Sequence, residues 1–172
     1  MRIPIVDEND NIIRYKERDL LKDDDTFRVS ALWITNSRGE ILLSRRSLRK
    51  KSGAGKWGPA VAGTVEESET YDANIMKEAR EELGIINTKF RKFSKQRIVG
   101  NHKFFCQWYL LTINKKADDF SLQEGEVEEI KWTSKEELIK RFNSNPEEFV
   151  RSMGQYLKLL VLTSHKAPDT PE

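Results

Sequence analysis

Residues 63–85 read GTVEESETYDANIMKEAREELGI, and most of the protein's character is legible from this stretch. Thr70 has the side chain of a helix N-cap, and Gly84 stands where a left-handed stop is expected, so the pattern predicts a helix from Thr70 to Leu83. Ala73, Met76, Ala79 and Leu83 recur at spacings of three and four and form one apolar stripe. On the same helix Glu78, Glu81 and Glu82 stand at i, i+3 and i+4, places that share a face with β-carbons about 5–6 Å apart. Three carboxylates packed there repel one another unless a cation relieves them. Magnesium prefers oxygen ligands, and it takes one or two carboxylates together with water and substrate phosphates. Such a site suits phosphate ester and anhydride chemistry. The same spacing also describes a solvated acidic face, neutralised by Lys77 and Arg80 as ordinary surface pairs.

Working outward, the chain before the helix is rich in strand signals. Residues 3–21 read as a hairpin turning at Asp7–Asn11, with Lys22–Asp25 as a polar connection. Residues 27–35, FRVSALWIT, form a buried β-branched and aromatic strand. The turn Asn36–Gly39 leads to a return strand from Glu40 to Arg46, and the two are expected to form a hairpin. Ser47–Lys56 is a loop, and Trp57–Thr64 a strand flanked by tight turns. After the helix come strands over Phe90–Val99, His102–Asn114 and Ile130–Thr133. Ser134–Glu137 is a capping box opening a helix to about Phe142. Asn145-Pro146 starts a last helix running to about Thr163. The expected class is α/β: a mixed, mostly antiparallel sheet between helices. Residues 1–163 are expected to form one domain, with 1–22 as an N-terminal hairpin extension and 164–172 as a disordered tail.

Composition narrows the function. The 30 basic and 28 acidic side chains leave a net charge of +2, so no global field argues for nucleic acid or an anionic membrane. Cys106 is the single cysteine, which excludes an internal disulfide. The start of the chain lacks a signal-peptide pattern, and no apolar run approaches the length of a membrane span. A cytoplasmic protein is the expectation.

The quoted stretch resembles the box of the Nudix hydrolase family, G-x5-E-x7-R-E-U-x-E-E-x-G-U, where U is a bulky aliphatic residue. Gly63, Glu69, Glu78, Glu81, Glu82, Gly84 and Ile85 stand at the matching places, with no gap. Two positions depart: Lys77 replaces the arginine that positions the acids in the family, keeping its charge without its planar fork, and Ala79 is small for its slot. The resemblance implies an α/β/α sandwich and metal-dependent cleavage of a pyrophosphate linkage in a nucleoside diphosphate joined to a group X. It implies magnesium, or manganese in its place, held by Glu78, Glu82 and Glu81. Glu81, or an acid from another loop, takes the proton from water. The acidic loop before Ile130 supplies such an acid in some members, and Glu126 is the candidate here. The alternative is a polar loop facing water. Gly63 is placed at the turn beside the substrate.

A basic run precedes the box: Arg45, Arg46, Arg49, Lys50, Lys51 and Lys56. Arg46 is the candidate phosphate ligand, while Arg49, Lys50 and Lys51 read as a solvated loop. Trp33 reads as core, Trp57 as core or a stacking surface for a base, and Cys106 as buried and inert. Within the family the closest likeness is to the branch that includes isopentenyl diphosphate isomerase. Ala62 stands where the isomerase has its cysteine, and Thr64 and Phe27 where it has histidines, so the hydrolase reading leads. An isomerase-like protein and a non-catalytic nucleotide-binding domain are the alternatives. The expected partner is a small phosphoanhydride, with nucleic acid disfavoured and a homodimer possible.

Overall fold

In β3, Thr26–Thr35, the side chains alternate between two apolar clusters, and this makes it the central strand. Ala31 and Trp33 face one cluster, Leu32 and Ile34 the other. A strand buried on both faces reads as a continuous apolar run, as this one does. The computed structural model describes residues 1–163; the expected disordered tail, 164–172, lies outside the described residues. The remaining strands are β1 (Arg2–Val6), β2 (Ile12–Glu17), β4 (Ile41–Arg46), β5 (Trp57–Pro59), β6 (Val61–Thr64), β7 (Arg91–Val99), β8 (Lys103–Thr112) and β9 (Val127–Thr133). The helices are α1 (Tyr71–Leu83), α2 (Lys135–Ser144) and α3 (Met153–Thr163).

Seven strands form a mixed sheet with β3 and β8 parallel and the other pairs antiparallel. Helix α1 packs its Ile75, Ala79 and Leu83 on one face, against Leu32, Ile34 and Leu42. The other face holds Trp33 stacked on Trp108, with ring centroids 5.1 Å apart, and is covered by residues of β1, α2 and α3. This is the expected α/β/α arrangement. The N-terminal hairpin is more than an appendage, because Ile3 and Ile5 are fully buried in that second cluster.

Three expectations need correction. First, β3 and β4 do not run as a hairpin. They pair only at Thr35 and Ile41, beside the turn. Beyond it β3 pairs with β6 while β4 pairs with β5 and β9. The chain crosses the gap at Ala60, between β5 and β6, and the opening between the diverging strands becomes a cleft. Second, the apolar stripe of α1 is rotated from the one expected. Met76 is 58% exposed and Ala73 is exposed, whereas Ile75 is buried. Both stripes share Ala79 and Leu83, so spacing could not separate them. Third, the last helix is broken. Pro146–Glu148 make one 3-10 turn, Phe149 bridges to Trp57, and α3 begins only at Met153. The backbone N–H of Val150 donates to the Trp57 carbonyl at 2.8 Å, holding this segment extended against β5.

Candidate active site

The start and end of α1 are built locally. Thr70 accepts a hydrogen bond from the Ala73 backbone N–H, and Gly84 takes the left-handed φ of 66°. Helical geometry then aims Glu78 and Glu82, four residues apart, toward β6 and the cleft. Gly63 lies within β6, opposite Ser30, and not at a turn as expected. Its reason for being glycine is space. A β-carbon there would stand 2.4 Å from both Cγ and Cδ of Glu78.

Beneath Glu78 lies a buried polar network. Asn74 is fully buried. Its side-chain oxygen accepts from Ser30 Oγ at 2.5 Å, and its Nδ2 donates to Glu69 Oε2 at 2.8 Å, to the Thr64 carbonyl at 3.1 Å and to Glu78 Oε1 at 3.3 Å. Lys77 Nζ lies 2.6 Å from Glu69 Oε1 and 2.8 Å from Glu66 Oε1. Burial works to raise the pKa of Glu69, but Lys77, the Glu66 N–H and Asn74 outweigh it and hold the carboxyl below its usual range.

The cleft between the diverging strands has a volume of about 140 Å³. Its charged lining is Arg46 from β4, Glu82 from α1 and Glu126 from the turn before β9, and α3 and the segment before it add Ser152 and Tyr156. Arg46 and Val127 are register partners, which sets Glu126 beside the arginine. Arg46 Nε donates to the Ser52 carbonyl at 3.2 Å, and among the described residues no carboxylate forms an ion pair with it. Burial pushes the pKa of Glu82 up to about 8; the charges of Glu78 and Glu126 add to the rise, and Arg46 and Lys50 oppose it. Burial raises Glu78 as well, with Glu81 and Glu69 contributing against Lys77.

The structure thus brings Glu82, Glu126 and Arg46 to one cleft, with Glu78 beside Glu82 but outside the cleft lining. Glu81 is exposed and lies outside the cleft lining, with its carboxylate 3.6 Å from Arg80. Gly63 is buried under Glu78 and also does not line the cleft. Lys50, expected as a solvated cation, is half-buried and paired with Glu126, and no local signal marked it. Asn74 was also missed, although its place at i−4 from Glu78 was a usable clue. Trp57 is only 8% exposed, with the guanidinium groups of Arg45 and Arg141 at 5.8 Å and 5.4 Å from its ring centre, and this burial leaves little of the ring to stack on a base. Trp33 and Cys106 are buried as expected, and burial raises the Cys106 thiol pKa, which keeps it unreactive.

The donor chemistry fits a magnesium-like ion. Burial raises the pKa of both Glu78 and Glu82, the charge of Glu78 adds to the rise at Glu82, and among the described residues Glu82 has no ion pair. Among the described residues no group of three or more His, Cys, Asp or Glu side chains is placed to hold a metal ion, so the chain offers a pair of carboxylates and not a full ligand set. An open pair of carboxylates is what magnesium uses when water and substrate phosphates complete its shell.

Comparison with known proteins bears on the fold and the family. An uncharacterized Nudix hydrolase of Yersinia pestis is 26% identical over 156 residues, covering 90% of this chain and 85% of the relative. An isopentenyl-diphosphate Delta-isomerase of Citrobacter koseri is 27% identical over 126 residues, covering 68% of this chain and 67% of the relative. A crystal structure from Deinococcus radiodurans superposes with a TM-score of 0.80 at 22% identity, covering 92% of this chain and 98% of the other, and speaks for the fold alone. The NUDIX domain family model matches residues 25–153, and the chain belongs to the Nudix family.

Proposed function

We propose that the protein is a divalent-metal-dependent hydrolase that cleaves a pyrophosphate linkage in a nucleoside diphosphate-X type substrate, using magnesium or, in its place, manganese. The observation that carries this reading is the cleft itself, where Glu82 and Glu126 share one wall with Arg46, a cation that has no carboxylate partner among the described residues. Glu78 and Glu82 are the side chains assigned to hold the ion, with Glu81 at its outer side. An ion bound there neutralises charge on the phosphate oxygens and orients the substrate. Arg46 presents a planar fork to a phosphate. Glu126, anchored by Lys50, accepts the proton of the water that attacks phosphorus as the bridging P–O bond breaks. Its place in the cleft favours Glu126 over Glu81 for this step. Residues 1–163 act as one unit in this reading.

A second reading, an isoprenoid diphosphate isomerase, draws on the Citrobacter koseri relative. Against it, Ala62 lines the cleft at the place of the isomerase cysteine.

The test is phosphate release from a panel of nucleoside di- and triphosphates and nucleotide conjugates, with magnesium, manganese or EDTA. Metal-dependent cleavage of any member supports the hydrolase. Silence across the panel from folded protein that binds metal sinks it and favours the isomerase or a non-catalytic binder.

A further inference from the structure

We infer that Asn74 and Lys77 form a split positioning unit for the metal-directed carboxylate Glu78, sharing between an amide and an ammonium the contacts that one guanidinium has the donors to make. The inference rests on the metal reading above and adds a residue to it. Lys77 Nζ is spent on Glu66 and Glu69 and stays 3.7 Å from Glu78 Oε1, too far for a hydrogen bond. The lysine therefore leaves Glu78 without a directional partner. Asn74 supplies it: the two hydrogens of Nδ2 serve Glu69 Oε2 at 2.8 Å and the Thr64 carbonyl at 3.1 Å, and one of them is shared with Glu78 Oε1 at 3.3 Å. One amide nitrogen thus spans the two acids that the ammonium cannot span.

The amide's orientation is set from behind. Ser30 Oγ donates to Asn74 Oδ1 at 2.5 Å, so Nδ2 must face the carboxylates. A fully buried amide costs free energy unless its donors and acceptor are used, and the neighbouring inward positions, Ile75 and Ala79, are apolar. An apolar residue at 74 would leave the buried Ser30 hydroxyl and the Thr64 carbonyl without these partners. The amide's contacts account for its presence: it holds Glu78 over Gly63 while Glu69 and Glu81 repel it. Asn74 touches neither substrate nor ion in this scheme, so it is a positioning residue and acts through Glu78.

The experiment is calorimetric titration of Mn2+ and Mg2+ into the full chain, its N74A, K77R and S30A variants and the N74A/K77R double variant, each checked for folding by circular dichroism. Loss of a group that orients a metal ligand typically weakens metal affinity about 10–100-fold. N74A is expected to show a loss of that size, and S30A a smaller one, because its amide is free to turn. In N74A/K77R the guanidinium reaches both Glu69 and Glu78 through the vacated space, and affinity recovers most of the loss. A purely packing role for Asn74 predicts no such rescue. Wild-type affinity in N74A, or a double variant no tighter than N74A, would overturn the inference. Should N74A fail to fold, S30A decides, and unchanged affinity there overturns it. Absence of binding by the wild-type chain would remove the metal reading itself, and this inference with it, which keeps the two failures apart.

Discussion

Gly63 and Glu78 compete for one volume: a β-carbon on the glycine would stand 2.4 Å from two carbons of the glutamate side chain. The contact joins β6 to α1 across 15 residues of chain, and it makes the glycine a packing requirement of the carboxylate. Gly63→Ala is therefore expected to push Glu78 out of place. The loss should fall on metal affinity and metal-dependent turnover, by about tenfold or more, with destabilisation of about 1–3 kcal/mol from overpacking. Metal titration and thermal melts on the same variant measure both.

Glu82 links pH to stability with a definite sign. Its folded pKa of about 8 lies above the ordinary 4.5, so the folded state holds a proton that the unfolded chain releases. Metal-free protein is then expected to lose stability as pH rises from about 4.5 toward about 8. Glu82→Gln should flatten that slope and abolish metal-dependent turnover. Chemical denaturation at pH 5, 6.5 and 8 in EDTA, as chosen conditions, reads the slope; equal slopes in both proteins would refute the assignment.

Glu126 and Glu81 separate by position. If Glu126 accepts the proton, Glu126→Gln should lower kcat by about 10²–10⁴ with metal affinity nearly kept. Glu81→Gln, altering an exposed group beside Arg80, should cost less. The reverse order in single-turnover rates would move the role to Glu81.

Arg46 is assigned to phosphate. Arg46→Lys keeps charge and loses the fork, so KM should rise on the order of tenfold while metal affinity in the absence of substrate stays unchanged. An unchanged KM would show that the guanidinium only ties down its own loop through the Ser52 carbonyl.

Asp25 holds the N-terminal hairpin. Its buried carboxylate lies 2.5 Å from both Arg14 and Lys16, and accepts from the Lys22 N–H at 2.8 Å. Burial alone would raise its pKa, but these partners outweigh it and lower it to about 2. The stability it contributes is present above the ordinary pKa of 3.8 and is lost as pH falls toward about 2. Asp25→Asn should cost about 2 kcal/mol at neutral pH, since both cations reach solvent, and the difference should shrink steadily as pH falls from 3.8 toward about 2. Equilibrium denaturation across that range checks it.

Much of the fold was legible where the signal is short-ranged. The caps Thr70 and Ser134 act where the sequence places them, each accepting a backbone N–H three residues on. The apolar stripe of α1 was misplaced because two stripes share Ala79 and Leu83. Only the sheet beneath selects Ile75 over Met76. Of the expected β3–β4 hairpin only the turn forms, because no local pattern says that the strands part after Thr35 and Ile41.

By itself, the sequence determined what lies within a few residues: a capped helix carrying carboxylates at i, i+3 and i+4, the strand-rich chain around it, and the family likeness. Helical period and capping act over one or two turns, so they can be read in order along the chain. The tertiary structure alone decided which carboxylates share a cleft, that Lys50 meets Glu126 across 76 residues, that Arg46 faces Glu82, and that a break before α3 brings Ser152 and Tyr156 to the wall. Those contacts depend on how the strands diverge and the layers pack, and charges far apart in the chain become neighbours only when the apolar faces behind them are buried.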